Sequence, residues 1–359
     1  MDLIHRFLNL VAPPATFFTL LFFVPPLYFF KCFLSFVSSV FYEDVTGKVV
    51  LITGASSGIG EHLAYEYAKR GACLSICARR EHRLRYVAER ALELGATDVI
   101  AVRADVSNVN DCKLLVDETL DRFGRLDHLV NNAGINQVCL LEEADDITDY
   151  RPVMVIRALP SSQDINFWGS VYTTRFAAPH LRNSKGKIIA LSSVVSWLPV
   201  PRMSLYNASK AAVMQFFETL RVEFAPDVKI TIVTPGLVES ELTRGKYLTK
   251  GGKLVLDPEM RDVQVGIGPV ATTDYCAKAI VDGVCRGDRY VTVPAWFRVT
   301  YLWRVFWPEV IDWTYRLLFN PRPGASPEEA LSKRLLDLTG AQKILYPETL
   351  QIPAEQKGD

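Results

Sequence analysis

The feature that most constrains the fold is a glycine-rich loop between a short apolar strand and a helix. The strand and the loop, TGASSGIG, occupy residues 48–60. Gly54, Gly58 and Gly60 let the backbone approach a pyrophosphate closely. The helix that begins near Ile59 directs N–H groups and the positive end of its dipole to the same place. Such a loop can also be a purely structural turn, so the downstream pattern has to decide.

Strands and helices alternate along most of residues 43–294. Further strands are predicted at residues 72–77, 99–103, 127–130, 187–191, 229–233 and 289–293. Strands separated mostly by helices predict an α/β fold with a doubly wound parallel (Rossmann) sheet. The 40 Lys and Arg residues balance the 40 Asp and Glu residues. This balance argues against a nucleic-acid partner, because phosphate contacts need a basic surplus.

Two arginines follow the second predicted strand, where contacts with a coenzyme ribose are normally made. An NAD-specific site places an acid there, whereas Arg79 and Arg80 can pair with a 2′-phosphate. The two cations therefore favour NADP as the coenzyme. The alternative is that either arginine is a solvated charge at the start of the next helix.

Candidate catalytic residues follow the fifth predicted strand, which ends at Ser193. Tyr206 lies thirteen residues later, and Lys210 follows it by four residues, so both share one helical face. A tyrosine hydroxyl has an ordinary pKa of about 10. A neighbouring ammonium group and the oxidised nicotinamide would both favour the phenolate, so Tyr206 can act as acid and base. Ser193 can donate a hydrogen bond to the substrate oxygen as charge develops there.

A Tyr-x-x-x-Lys pair alone is usually an ordinary surface pair, but here it follows TGASSGIG and NNAG (131–134) in order. Over residues 47–294 these motifs resemble the short-chain dehydrogenase/reductase family. The resemblance implies a catalytic tetrad of Asn166, Ser193, Tyr206 and Lys210. It makes Tyr206 the proton donor or acceptor, Lys210 the ribose ligand and Asn166 the holder of a relay water.

The resemblance also implies a coenzyme site in which Asp105 contacts the adenine, and it gives no reason to expect a metal ion. Together with Arg79, the predicted cofactor-binding residues are Thr53, Gly54, Ser56, Ser57, Gly58, Ile59, Gly60, Arg79, Asp105, Val106, Asn132, Ala133, Gly134, Tyr206, Lys210, Pro235 and Gly236.

The chain departs from the family pattern between NNAG and Asn166. The surplus residues are Val155 to Gln163, VIRALPSSQ. Pro160 within them breaks the helix expected to deliver Asn166. The block is either an added surface loop or a splice or gene-model variant.

The first 42 residues are apolar, with formal charges only at Asp2, Arg6 and Lys31. Residues 7–30 carry no charge, and these 24 residues could just cross a ~30 Å hydrocarbon layer as one helix. Two proline pairs, at 13–14 and 25–26, leave only ten uninterrupted residues between them. The sequence therefore predicts a hairpin or monotopic anchor, with a kinked spanning anchor as the alternative.

Two observations weakly favour the cytosolic side for the remainder of the chain. The seven cysteines contain no C-x-x-C pair, which fits a reducing compartment. The one glycosylation sequon, Asn207 to Ser209, lies in the proposed catalytic helix, where a glycan would obstruct the chemistry.

With its proline-interrupted opening, the whole chain resembles the plant steroleosins, hydroxysteroid dehydrogenase-like proteins of oil bodies. That resemblance implies an NADP-preferring steroid or sterol dehydrogenase on lipid droplets and the endoplasmic reticulum membrane. The sequence does not decide whether the chain forms a homodimer. The predicted domains are an anchor at 1–42, a dehydrogenase domain at 43–294, and an extension and tail at 295–359.

The extension at residues 296–319 contains four tryptophans among aliphatic and charged residues. It predicts an amphipathic stretch that touches a membrane or caps the substrate site, or else a helix packed on the main domain. Residues 321–359 predict an exposed tail with one helix.

The favoured function is NADP(H)-dependent hydride transfer to or from a secondary alcohol or ketone of a steroid-like lipid. The alternative is a structural lipid-droplet coat protein whose dehydrogenase fold binds a coenzyme without catalysis. Residues 237–265, the predicted substrate loop, do not separate sterols from retinoids or other lipid alcohols.

Overall fold

The structure is a computed structural model that describes residues 2–40, 42–146 and 165–351. Residues 1–44 with 285–287 form one compact unit, and the rest of the chain forms a second. The block at 155–163 lies outside the described residues, as does the end of the predicted tail, 352–359.

The first unit contains one helix, α1 (Asp2–Val40), which runs through both proline pairs. The expected interruption at the prolines is not found, and the helix has no turn where a hairpin would need one. The fixed φ of proline is compatible with a helix, although each interior proline removes one backbone N–H donor and crowds the preceding turn. Residues 3–34 have a mean hydropathy of 1.8 and are long and apolar enough to cross a membrane.

The second unit is built on a parallel sheet of seven strands in the order β3-β2-β1-β4-β5-β6-β9. Its strands are β1 (Val49–Thr53), β2 (Cys73–Ala78), β3 (Asp98–Arg103), β4 (His128–Asn131), β5 (Lys187–Leu191), β6 (Lys229–Pro235) and β9 (Tyr290–Val293). All of the pairings are parallel, which confirms the predicted doubly wound fold. The order reverses between β1 and β4, and in such sheets the ligand crevice lies beyond the strand ends at this point.

Helices connect the strands and cover the sheet. They are α2 (Gly58–Ala68), α3 (Glu81–Glu93), α4 (Val109–Phe123), α5 (Trp168–Ser184), α6 (Ser204–Glu223), α7 (Pro258–Val265) and α8 (Thr273–Arg286). One core forms where α4, α5 and α6 pack on the sheet, with Leu115, Leu181 and Phe217 buried against Leu129 and Ile188. Burial of this apolar face provides most of the driving force for the fold.

Short elements between β6 and α8 form the region predicted as a substrate loop. An antiparallel pair, β7 (Lys246–Leu248) and β8 (Leu254–Leu256), precedes α7. Strands of three residues carry too little alternation to be recognised in a sequence.

The extension after β9 is helical and packed. It contains α9 (Arg298–Phe306), α10 (Pro308–Phe319), α11 (Leu331–Thr339), α12 (Gln342–Leu345) and α13 (Glu348–Gln351). Leu336, Tyr346 and Leu350 are buried with Val265 and Val270. The expectation of an exposed tail with one helix is therefore wrong for residues 330–350, because their apolar side chains cover α7 and the segment after it.

Candidate active site

The glycine loop is held in place by close backbone packing. Gly54 and Gly58 have positive φ angles of 68° and 61°, which side chains rarely adopt. A Cβ on Gly60 would lie 2.4 Å from Asn132 Nδ2, so α2 can begin this close to the loop only at a glycine. Asn132 Nδ2 donates to the carbonyl of Gly54 at 3.1 Å. Thr53 Oγ1 accepts a hydrogen bond from the backbone N–H of Asn132 at 3.0 Å, which connects β1 to the segment after β4.

A cavity of about 820 Å³ extends from this loop across the strand ends to the C-terminal extension. Most of the predicted site residues line it: Gly54, Ser56, Ser57, Gly58, Ile59, Arg79, Asp105, Val106, Asn132, Ala133, Gly134, Ser193, Tyr206, Lys210, Pro235 and Gly236. Thr53, Gly60 and Asn166 are not part of the wall, but each contacts or closely approaches a residue that is. The structure thus brings the whole predicted set together.

The catalytic candidates converge at one point of this cavity. Ser193 follows β5, Tyr206 lies in the first turn of α6, and both residues line the cavity. Lys210 is buried one turn along α6, with Nζ 5.7 Å from the Tyr206 ring centre. Its Nζ donates to the carbonyl of Leu191 at 3.0 Å. This places a phenol, a hydroxyl and an amine at the end of one strand.

Burial dominates the electrostatics of these groups. Burial raises the pKa of Tyr206, and the neighbouring Ser193 hydroxyl offsets this only in part. Burial also lowers the pKa of Lys210, to about 8. Removal from water disfavours both charged forms, so burial acts against the phenolate that the lysine and the oxidised nicotinamide are expected to favour.

Asn166 reaches the predicted position even though the surplus block precedes it. Its Oδ1 accepts from the Ile135 amide at 2.8 Å, and its Nδ2 donates to the Ile135 carbonyl at 2.9 Å. Nδ2 also donates to Ser209 Oγ at 3.0 Å. A Cβ on Gly134 would lie 3.3 Å from Asn166 Oδ1 and 3.5 Å from Lys210 Nζ. Asn166 therefore fixes the chain after NNAG beside Lys210.

The end of β2 carries the two predicted arginines in different surroundings. Arg79 is half-exposed, with Nη1 3.8 Å from Asp105 Oδ2. Arg80 donates to Ser57 Oγ at 2.7 Å and to Glu241 Oε1 at 2.5 Å. Both arginines line the cavity next to the first turn of α2.

The far end of the cavity is lined by apolar residues that the sequence did not single out, although several lie in the predicted substrate loop and in the extension at 296–319. They include Leu198, Val200, Leu237, Phe297, Tyr315, Leu318 and Phe319. Phe297 packs on Gly236, where a Cβ would lie 2.3 Å from its ring. Buried Phe297 and Ile311 also pack with Val194, so the extension both covers the main domain and lines the site. No motif marks these positions, since any large apolar side chain fits such a wall.

Comparisons with known proteins agree with this geometry. A family profile for short chain dehydrogenase matches residues 48–250. The 11-beta-hydroxysteroid dehydrogenase A of Sesamum indicum is 61% identical over 359 residues and covers 100% of both chains. The 11-beta-hydroxysteroid dehydrogenase 1A of Arabidopsis thaliana is 58% identical over the same length, with 100% of both chains covered.

Two solved structures have a similar fold. An alcohol dehydrogenase from the archaeon Thermococcus sibiricus, complexed with 5-hydroxy-NADP, is 26% identical with a TM-score of 0.54. It covers 68% of this chain and 94% of its own. A short chain dehydrogenase/reductase from Burkholderia phymatum in complex with NAD is 24% identical with a TM-score of 0.63. That match covers 79% of this chain and 99% of its own.

The structure and the whole-length relatives indicate the same family. The structural features are the sheet order, the glycine loop and the serine, tyrosine and lysine that lie together in the cavity. The chain is an oxidoreductase of the short-chain dehydrogenase/reductase family.

Proposed function

We propose that this protein transfers hydride between NADP(H) and a secondary alcohol or ketone of a steroid-like or sterol-like lipid at lipid-droplet surfaces. The observation that carries the proposal is the convergence of Ser193, Tyr206 and Lys210 on one cavity beside the glycine loop. That cavity is long enough to run from the coenzyme loop to an apolar wall.

The chain's own residues can manage the proton and the developing charge. Bound NADPH supplies a hydride at the nicotinamide ring, and its oxidised form accepts one. During reduction the carbonyl carbon gains the hydride, and the Tyr206 hydroxyl donates its proton to the oxygen. Ser193 Oγ, which donates to the Pro235 carbonyl at 3.1 Å, turns to stabilise the same oxygen. Alcohol oxidation reverses both transfers.

Tyr206 needs positive charge nearby, because burial raises its pKa. The protonated form of Lys210 is one source, and the oxidised nicotinamide is the other. Burial brings the pKa of Lys210 to about 8, so its charge is present near neutrality and declines above that pH. The proposed proton transfer by Tyr206 therefore depends on a lysine that is still charged.

NADP is favoured by the cations at the end of β2. Arg79 and Arg80 both line the cavity near the first turn of α2, and two arginines suit a 2′-phosphate. We expect Arg79→Ala to weaken NADPH binding at least about tenfold more than NADH binding, as measured by fluorescence titration. Equal losses for both coenzymes would overturn this assignment.

A steroid-like substrate is supported by the apolar far end of the cavity. Leu318, Phe319 and Phe297 form part of a wall that suits a rigid hydrocarbon ring system. The curated relatives that match the full chain carry the name 11-beta-hydroxysteroid dehydrogenase. A ketone or hydroxyl group would reach Tyr206 while the rings stay among apolar side chains.

Binding to a lipid surface is supported by two exposed apolar regions, one in each unit. The side chains of α1 are exposed along residues 3–34. In the second unit, α9, α10 and the residue between them expose large apolar side chains: Tyr301, Leu302, Val305, Phe306, Trp307, Trp313 and Leu317. Aromatic side chains of this kind favour membrane interfaces. We place the catalytic unit on the cytosolic face of droplets and of the endoplasmic reticulum.

The proposal is tested by incubating purified full-length protein on lipid droplets with NADP and a panel of steroid, sterol and simple lipid alcohols. Absorbance of the reduced nicotinamide should rise fastest with a steroid-like secondary alcohol, and faster with NADP than with NAD. Ser193→Ala should bind NADP normally and show little turnover. A protein that binds NADP but converts no alcohol or ketone in the panel would instead support the non-catalytic coat.

A further inference from the structure

The guanidinium of Arg80 is engaged on two sides. Its Nη2 donates to Ser57 Oγ at 2.7 Å, and both Nη2 and Nε donate to Ser56 Oγ, at 3.2 and 3.3 Å. Its Nη1 donates to Glu241 Oε1 at 2.5 Å. One edge of this arginine thus faces the glycine loop, and the other faces a carboxylate.

Glu241 comes from a distant part of the chain, in the segment between β6 and β7. This segment lies against the glycine loop, since a Cβ on Gly58 would be 3.6 Å from Ser240 Cβ. Glu241 Oε2 also accepts from Lys246 Nζ at 2.9 Å. Burial opposes the charge of Glu241, but the hydrogen bonds from Arg80 and Lys246 outweigh it and hold its pKa below the ordinary value. The carboxylate is therefore ionised at neutral pH.

We propose that Glu241 is a coenzyme-selectivity residue that limits the preference for NADP. The inference rests on the proposed function, in which the adenosine ribose lies beside Arg79 and Arg80. A 2′-phosphate and the Glu241 carboxylate compete for the same donor of Arg80, and they repel each other. Glu241 thus lowers the affinity for NADP(H).

The same carboxylate favours NAD(H). Sites for NAD place an acid after the second strand, where it accepts a hydrogen bond from a ribose hydroxyl. That acid is replaced here by Arg79 and Arg80, but Glu241 brings a carboxylate to Arg80 from another element. Glu241 thus provides a carboxylate acceptor for a ribose hydroxyl in place of the acid that usually follows the second strand. The chain should consequently bind both coenzymes, with a smaller preference for NADP than two arginines alone would give.

The test is Glu241→Gln, because glutamine keeps the size of the side chain but removes its charge and leaves one acceptor oxygen, for either Arg80 or Lys246. We expect NADPH to bind about three- to tenfold more tightly and NADH to bind equally or more weakly, as measured by fluorescence titration. The fragments adenosine 2′,5′-bisphosphate and 5′-AMP should show the same change in ratio, which isolates the phosphate. Asp117→Asn, which removes one charge from an exposed pair with Lys113, should leave both affinities unchanged.

The outcomes separate this inference from the proposed function. If the wild-type protein binds both coenzymes and Glu241→Gln shifts them equally, or weakens NADPH, then the selectivity role is refuted alone. If the wild-type protein binds neither coenzyme, the proposed function is refuted as well.

Discussion

The two ends of the cavity are built in different ways. At the coenzyme end the walls are largely backbone, with Gly54 and Gly60 packed against the segment that contains Asn132. At the substrate end they are apolar side chains, such as Leu318 and Phe319, carried by short helices. A wall made of backbone tolerates few substitutions, whereas a wall made of side chains adapts to different ligands. Under the proposed function, the coenzyme end therefore fixes the chemistry, and the substrate end determines which molecule is converted.

The largest effect is expected at the point where the two ends meet. Tyr206→Phe removes the only atom proposed to move the proton and keeps the ring that packs with Met203 and Tyr247. Turnover should fall by about 10³-fold or more, while the affinity for NADPH changes less than about threefold. Steady-state rates and coenzyme titrations check both values. Turnover within about tenfold of the wild type would remove Tyr206 from the mechanism.

At the coenzyme end, Gly60→Ala should be severe for a steric reason. The new methyl group would lie 2.4 Å from Asn132 Nδ2 and 2.5 Å from the Gly54 carbonyl, so the loop must shift. We expect NADPH affinity to fall by about 10²-fold, with a lower melting temperature. Gly251→Ala is the control, because its Cβ would come no closer than 3.4 Å to another atom. If the two variants had equal NADPH affinities and melting temperatures, the close backbone packing of the loop would not be needed for coenzyme binding.

Lys210→Met tests whether the buried charge of Lys210 lowers the free energy of unfolding. The pKa of about 8 in the folded protein lies below the unfolded value, so the wild type binds fewer protons when folded between these values. Wild-type stability should therefore rise as the pH increases from 8 towards about 10.5, by up to about 3 kcal/mol. The methionine variant lacks this rise, so it should gain most relative to the wild type below pH 8.

Urea unfolding across that pH range measures the difference, and Lys113→Met, at an exposed lysine, is the control. The methionine variant should also lose most of its turnover. A difference in stability that is independent of pH would show that Lys210 is not held in a site that disfavours its charge.

The smallest effect is expected at the substrate end. Leu318 lines the cavity, and Leu317 beside it on α10 is exposed. Leu318→Ala should raise the KM for a steroid substrate about three- to tenfold, because apolar contact area is lost, and leave NADPH affinity unchanged. Leu317→Ala should change neither value in detergent. If Leu318→Ala altered coenzyme binding instead, the two ends would not be independent.

Most of the coenzyme end could be predicted from the sequence, because its residues follow strands in recognisable motifs. The predicted strand at 187–191 matches β5, and the glycine loop lies where the periodicity changes from strand to helix. The structure also places Asn166 beside the segment after NNAG, where its side-chain amide is hydrogen-bonded to the backbone of Ile135. These features depend on local geometry that the sequence encodes directly.

The remaining features depend on contacts between distant segments. Glu241 reaches Arg80 across 161 residues, and no spacing rule connects the two positions. The pKa of Tyr206 rises because neighbouring elements exclude water, which a helical spacing cannot reveal. Leu336, Tyr346 and Leu350 are buried because they pack on Val265 and Val270, which are distant in the sequence. The proline pairs of α1 predicted a break, but a continuous helix formed.

In the proposed reaction, hydride passes between the coenzyme and a lipid carbonyl whose oxygen is protonated by Tyr206. The most direct measurement supplies full-length protein with NADPH deuterated on the transferable position of the nicotinamide, together with a steroid ketone. If the proposed reaction is right, the wild type forms an alcohol with one deuterium on the new carbinol carbon, and Tyr206→Phe does not. An alcohol without deuterium, or equal labelled product from both proteins, would contradict it.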